Sequence, residues 1–302
     1  MSGFDIFLQQ FLGGIATGAI YACLALAVVM IYQAIDHFNF AQGEMAMFST
    51  FIAWGLMEGT VLGFQFGLPY IVAFVLAIVL SFIGGALVEK VVFAPIQDAP
   101  VLSHIIVFIA LFSIFNSVAG FIWDFTIKPF PSPFGEGKLF EGLPIGNHQI
   151  GMVVVTLLML GAIYVFFRFT PVGLAMRAAA AAPDSARLVG INVGHMLSLG
   201  WGLAAAVGAV AGMLIAPVVF LEPNMMLGIL LYGFAGAVVG GLTSPGGAVV
   251  GGFLVGIFEN MIGTYVPGVG SELKLTVALL LIVIVLLVRP SGLFGRSEVK
   301  RV

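Results

Sequence analysis

The sequence predicts an all-α polytopic membrane protein, a bundle of about nine transmembrane segments in which the second is either a short tilted span or the half-helix of a discontinuous one. Three observations carry that expectation. Hydrophobic residues make up 61% of the 302 and charged residues 8%, where soluble domains carry about 25% charged. The apolar runs approach or exceed the roughly 20 residues that cross a bilayer as helix, and they lack the alternation of a membrane barrel. Forty glycines recur through those runs. Small residues matter in lipid, because no hydrophobic force drives helices together there and close backbone contact must hold the bundle.

Residues 11–32 form the first span, with Gly14 and Gly18 at the four-residue spacing that lets two helices approach. Next comes QAIDHFNFAQGEMAMF, where Asp36, His37, Asn39, Gln42 and Glu44 interrupt the apolar pattern. The run 44–57 is short for a span unless it starts inside the membrane. Residues 68–88 and 102–123 are the next spans, with Pro95 and Pro100 between them preventing one continuous helix. Residues 124–149 form a polar loop with Pro129, Pro131, Pro133 and Pro144, and 150–167 cross again.

The connection 168–195 is the polar feature of an apolar chain, holding Arg168, Arg177 and Arg187 out of eleven Lys plus Arg. Pro171 and Gly173 punctuate its start, Pro183 breaks its middle and Gly190 is placed to end a helical turn, so it reads as two short helices outside the bilayer. Such helices either pack on their own bundle or present a docking surface, and the residues alone leave both open. Residues 196–217 form a small-residue helix with Gly208 and Gly212 on one face. Glu222, Pro223 and Asn224 make a turn before 227–242, and the tight TSPGG turn precedes 247–265, which carries Gly247, Gly251, Gly252 and Gly256 and buries Glu259 beside Asn260. The last span is 274–288. A polar break followed by a glycine-rich helix, near Asn39 and again near Glu222, gives only a faint internal repeat.

The first Lys or Arg is Lys90, so the N-terminus lacks the basic flank of a secretory signal and the first span is expected to be retained. With the basic tail in the cytoplasm, the inner side receives Lys90, Arg168, Arg177, Arg187, Arg289, Arg296, Lys300 and Arg301, while Lys128, Lys138 and Lys274 fall outside. That orientation makes 168–195 a cytoplasmic loop and 124–149 an extracytoplasmic one. If residues 36–57 re-enter instead of crossing, the N-terminus moves to the inner side and the later spans are undisturbed.

Composition also excludes functions. A net charge of −3 and the lack of a basic run give no footprint for nucleic acid. A single cysteine permits no internal disulfide. No nucleotide-binding loop exists, since the only Gly-Lys pair, Gly137-Lys138, continues with Leu139. No His pair stands at metal-ligand spacing, so neither a metal site nor hydrolytic catalysis is expected. Glu44 and Glu259 are the carboxyl groups lying clearly within spans, with His104, Asn116 and Asn260 as polar company, and an intramembrane carboxyl is costly enough to be a functional suspect. For Glu44 the alternative is a carboxylate favoured by a helix N-terminus; for Glu259 it is a polar pair with Asn260 or a neighbouring helix.

The stretches NFAQGEMAMF, TPVGLAMRAAAAAPDSARLVGINV and YGFAGAVVGGLTSPGGAVVGG, in this order, resemble the permease subunits of the branched-chain amino acid ABC importers over essentially the whole chain. The resemblance implies one transmembrane permease domain over 1–302 in a bacterial inner membrane, with no catalysis of its own. It implies pairing with a second, related permease as a heterodimer, two ATP-binding subunits that hold the ATP and magnesium, and an extracytoplasmic solute-binding protein. The loop 168–195 then becomes the ATPase-coupling element, with Gly173, Arg177, Pro183, Asp184, Arg187 and Gly190 as its candidate residues. Glu222 and Asn224 are candidates for docking the binding protein, and Asn39, Gln42, Glu44, Glu259 and Asn260 for lining the pathway. Permeases for urea, short amides or other amino acids resemble this chain too, and an ion-coupled secondary carrier is the alternative from another class.

Overall fold

The computed structural model describes residues 3–35, 37–58, 66–135, 137, 145–266, 268, 270 and 273–295. Among them the regular structure is helical apart from one bridge pairing Lys128 with Leu221. The helices are α1 (Gly3–Ile35), α2 (Gln42–Glu58), α3 (Tyr70–Val88), α4 (Val101–Trp123), α5 (Asn147–Phe169), α6 (Pro171–Ala181), α7 (Pro183–Leu188), α8 (Val193–Val219), α9 (Met226–Gly240), α10 (Pro245–Tyr265) and α11 (Lys274–Val288). Asp36, Lys138, Pro144, Arg296, Lys300 and Arg301, on which the loop and orientation readings drew, lie outside the described residues.

Each expected apolar run is helical, and among the described residues six helices are long and apolar enough to cross, so the count of nine is not confirmed: α1, α3 with its continuation to Ile96, α4, α5, α8 and α10. α9 and α11 have 15 residues each and α2 has 17. A 15-residue helix is about 22 Å long, short of a hydrocarbon core of about 30 Å. The break expected after Val88 comes later. The chain continues through a π-helical turn, Glu89–Phe93, and a 3-10 turn, Ala94–Ile96. Pro95 sits in the first turn of that last piece, where a missing N–H costs nothing, and Pro100 caps α4.

The residues form two compact units, one of Met1–Val29, Ser132–Thr156 and Gly228–Val302, the other of Met30–Pro131 and Leu157–Leu227. In the first, α1 and α10 meet along a glycine seam. A Cβ at Gly14 would stand 2.7 Å from the Ile257 Cα, and one at Gly18 2.9 Å from the Phe253 Cα. Gly256 and Gly252 answer them from α10, against Gly18 and Ala22, and Gly236 brings α9 onto Gly252. These are the glycines whose spacing the sequence singled out. The segment after α11 closes the end of α9, with the Leu293 and Phe294 N–H groups donating to the Val239 and Gly240 carbonyls at 2.8 and 3.0 Å. That contact serves carbonyls the helix cannot satisfy itself. Cys23 is fully buried, its Sγ donating to Thr156 Oγ1 at 3.7 Å.

In the second unit α8 is the axis. α3 packs on it through Gly85 and Gly202, and α2 through Gly208 and Gly212. Trp201 of α8 is wholly buried, its ring tilted against Phe93 at 4.5 Å between centroids, while Phe93 stacks on Phe108 of α4 at 4.7 Å. The π-helical turn is what carries Phe93 into this stack.

The connection 168–195 folds as two short helices, as expected. Thr170 Oγ1 accepts from the Gly173 N–H at 3.0 Å to cap α6, and Asn192 Oδ1 accepts from the His195 N–H at 3.1 Å to cap α8. Gly190 ends α7 with φ +85°, a conformation that side chains disfavour.

Adjacent glycines of α3 test the packing rule. A Cβ at Gly84 meets nothing within 4 Å, whereas one at Gly85 would stand 2.6 Å from both the Trp201 carbonyl and the Ala205 Cβ. Gly85→Ala is expected to destabilise by about 1 to 3 kcal/mol. Gly84→Ala is expected to be neutral or slightly stabilising, and thermal unfolding in detergent separates the two.

Candidate functional site

The beginning of α2 is polar and buried. Asn39, Gln42 and Glu44 are each at most 1% exposed. Asn39 Oδ1 accepts from the Ala41 N–H at 2.9 Å, and its Nδ2 donates to Gln42 Oε1 at 3.4 Å. Gln42 Nε2 donates to the Ala204 carbonyl at 2.9 Å, midway along α8, and passes over Gly208 where a larger residue would collide. Asn39 and Gln42 thus spend their side chains on the protein, anchoring the start of α2 against the middle of another helix.

Glu44, in the first turn of α2, is placed differently. Its Oε2 lies 3.3 Å from Asn116 Nδ2 of α4, and its Oε1 is buried with no donor among the described residues. The same Asn116 nitrogen lies 2.9 Å from the Pro223 carbonyl and 3.2 Å from Asn224 Oδ1. Asn224 is exposed, Asn116 half-buried and Glu44 buried. A polar line therefore runs from the surface turn 222–225 to a carboxyl inside the unit. From the sequence, Asn116 is only polar company for the intramembrane carboxyls, with no assigned partner. Its signal is a lone amide on an apolar helix, and its partners lie 72 and 108 residues away.

Glu259 belongs to the other unit. Tyr21 donates its hydroxyl to Glu259 Oε2 at 2.6 Å and stacks on Tyr232 at 4.9 Å between centroids. Lys274 Nζ stands 3.9 Å from the second carboxyl oxygen. Asn260 is not its partner. Consecutive helical residues project about 100° apart, and Asn260 Nδ2 donates instead to Thr17 Oγ1 at 3.0 Å. Both residues therefore tie α10 to α1, with partners that only folding brings near.

On the two-helix connection, Ala179 and Ala186 pack with Val193, joined by Ile191, Met196 and Leu197. Gly173 presses on the backbone of Phe166 and Phe167. Arg177, Pro183, Asp184 and Arg187 are exposed. Arg187 Nη1 bonds Asp184 Oδ1 at 3.1 Å with both side chains mostly in the open, a geometry that contributes at most about 1 kcal/mol. Leu174, Leu188 and Val189 are 60%, 89% and 76% exposed. The charges were legible in the sequence, whereas this apolar share of the same surface was not.

The Tyr21 hydroxyl is the strongest tie at Glu259. Tyr21→Phe is expected to cost about 1.5 to 3 kcal/mol, as loss of a hydrogen bond to a carboxyl group does. Lys274→Met, removing a partner 3.9 Å away, is expected to cost less. Unfolding midpoints in detergent give the order.

A family profile described as branched-chain amino acid transport system / permease component matches residues 10–286. The high-affinity branched-chain amino acid transport system permease protein LivH of Escherichia coli (strain K12) is 31% identical, covering 99% of both chains. The corresponding BraD of Pseudomonas aeruginosa is 31% identical over 98% of both. The probable branched-chain amino acid transport permease LivH of Methanocaldococcus jannaschii is 27% identical over 94% of this chain and 91% of that one. Among solved structures, PsaBC from Streptococcus pneumoniae in complex with Fab superposes with a TM-score of 0.52 at 13% identity, covering 92% of this chain and 91% of that one, a likeness of fold alone.

Proposed function

This multi-pass membrane protein belongs to the family of branched-chain amino acid transport system permease components, and from that membership we propose that it is the permease subunit of an ATP-driven importer of branched-chain, aliphatic amino acids. The observation that carries the reading is 31% identity to a high-affinity branched-chain permease, with 99% of both chains covered. The subunit catalyses nothing. ATP and magnesium belong to two partner subunits, a second related permease completes the membrane part as a heterodimer, and an extracytoplasmic binding protein delivers the solute.

In this reading residues 168–195 and the C-terminus face the cytoplasm of a bacterial inner membrane, and the two-helix connection couples to the ATPase. Exposed Arg177, Asp184 and Arg187 beside exposed Leu174, Leu188 and Val189 support it, because an apolar patch rimmed by charge suits a groove on a soluble partner. Pro183, Gly173 and Gly190 shape the element. The turn with Glu222 and Asn224, together with 124–149, receives the binding protein. α2 is the half-helix of a discontinuous segment, supported by its first turn packing against the middle of α8. Glu44 lines the route there, Asn39 and Gln42 hold its wall, and Glu259 with Asn260 stiffens the α1–α10 pair.

The test is uptake of labelled leucine into vesicles holding the chain with its partners. Uptake is expected to require ATP and to resist excess urea. Arg187→Glu combined with Leu188→Asp is expected to weaken coupling by about 2 kcal/mol or more, roughly a thirtyfold loss of uptake. Leucine uptake driven by an ion gradient without ATPase, or untouched by the double variant, overturns the reading.

A further inference from the structure

The nitrogen of Asn116 is oversubscribed. An amide NH2 carries two hydrogens, yet three oxygens surround this one: the Pro223 carbonyl at 2.9 Å, Asn224 Oδ1 at 3.2 Å and Glu44 Oε2 at 3.3 Å. The longest of the three goes to the carboxyl group of Glu44, which is 1% exposed, and its other oxygen has no donor among the described residues. Three acceptors thus share one neutral two-hydrogen donor, and a fourth, Glu44 Oε1, is left over. A buried acceptor without a donor costs about 1 to 3 kcal/mol, and a carboxylate costs more unless a cation joins it. The group that fits this surplus has three hydrogens on one nitrogen and a positive charge.

We infer that Glu44, together with the Pro223 carbonyl and Asn224 Oδ1, is a transient binding point for a primary ammonium group, and that Asn116 is the positioning residue which occupies it between transport events. The inference rests on the pathway reading of Glu44 and adds the chemistry that the route recognises. An incoming amino acid displaces the Asn116 amide: its ammonium donates to Glu44 and to the two oxygens of the turn, while the amide swings off the carboxyl. Because two of those oxygens belong to the turn 222–225, movement of that turn dismantles the point. Binding is therefore brief, as a conducting route requires. Its demand is for the amine and not for the aliphatic side chain, so it selects amino acids over urea without discriminating leucine from valine.

The experiment uses the whole importer in vesicles and reads leucine taken up per ATP hydrolysed. Glu44→Gln, which keeps shape but removes charge, is expected to lower that ratio about tenfold or more, the loss of one hydrogen bond to a charged group. Glu44→Asp is expected to retain more of it than Glu44→Gln. Asn116→Leu, which removes the resident donor and cannot replace it, is expected to raise sensitivity to competing methylammonium, a change that a merely structural asparagine would not cause. A ratio for Glu44→Gln within twofold of the parent overturns the inference. So does equal loss in Glu44→Asp and Glu44→Gln, and so does uptake that collapses when choline replaces sodium, which would assign the oxygens to a metal cation. If the parent imports another amine-bearing solute instead of leucine, only the substrate reading fails and the same variants are compared with that solute. A parent that imports urea and no amine overturns both.

Discussion

Inside a bilayer a backbone N–H or C=O without a partner has no water to turn to, and each one left unpaired costs several kcal/mol. The start of α2 meets that constraint at its most severe, because Ala41 and Gln42 are wholly buried where a helix has just begun. Asn39 supplies a side-chain acceptor for the Ala41 N–H, and Gln42 reaches the Ala204 carbonyl on α8. Gly208 lies opposite Gln42, and Gly212 opposite Ala46 and Thr50 further along α2, so the helices nearly touch where the anchor is made. The position of Glu44 is a consequence: two residues further along, in the same first turn, it is carried to Asn116 by a helix whose origin is pinned.

The polar ties of the chain divide by what surrounds them. Tyr21 with Glu259 is a short bond at a buried hydroxyl, and Asn260 with Thr17 repeats the α1–α10 link nearby. Those bonds strengthen a contact that the glycine seam already makes. Asp184 with Arg187 is an ion pair in the open. It is cheap to break, so its members remain free to exchange partners. Ser198 donating to Glu89 belongs between these extremes, tying α8 to the π-helical turn.

Much of the fold was legible because lipid simplifies the code. Apolar runs mark helices, four-residue glycine spacings mark α1 and α10, and Pro183 with Gly190 outlines two short helices. The number of spans was less so, since 15 residues of apolar sequence satisfy a hydropathy reading without the length to cross. Pro95 and Pro100 marked a break that is there, but where the helix ends was hidden: a π-helical turn keeps the chain winding past Val88 to Ile96. At the sites, Glu44 and Glu259 stood out as expensive residues, while Asn116, Tyr21 and Lys274 did not. Their roles are set by pairings across long stretches of sequence, and a single chain carries no local mark of those. The exposed Leu188 and Val189 were hidden for the opposite reason, being apolar residues in a chain full of them.

Cys23 is the only thiol of the chain, enclosed within α1 and turned toward Thr156. Water-soluble maleimides react with thiols they can reach, and this one is shut away from them. A cysteine introduced at an exposed position such as 187 would therefore take a spectroscopic label selectively in this subunit, with the native residue left in place. The buried sulfur thus leaves the surface of this chain free of thiols, so that a distance across it can be read from a pair of engineered cysteines with no native thiol competing.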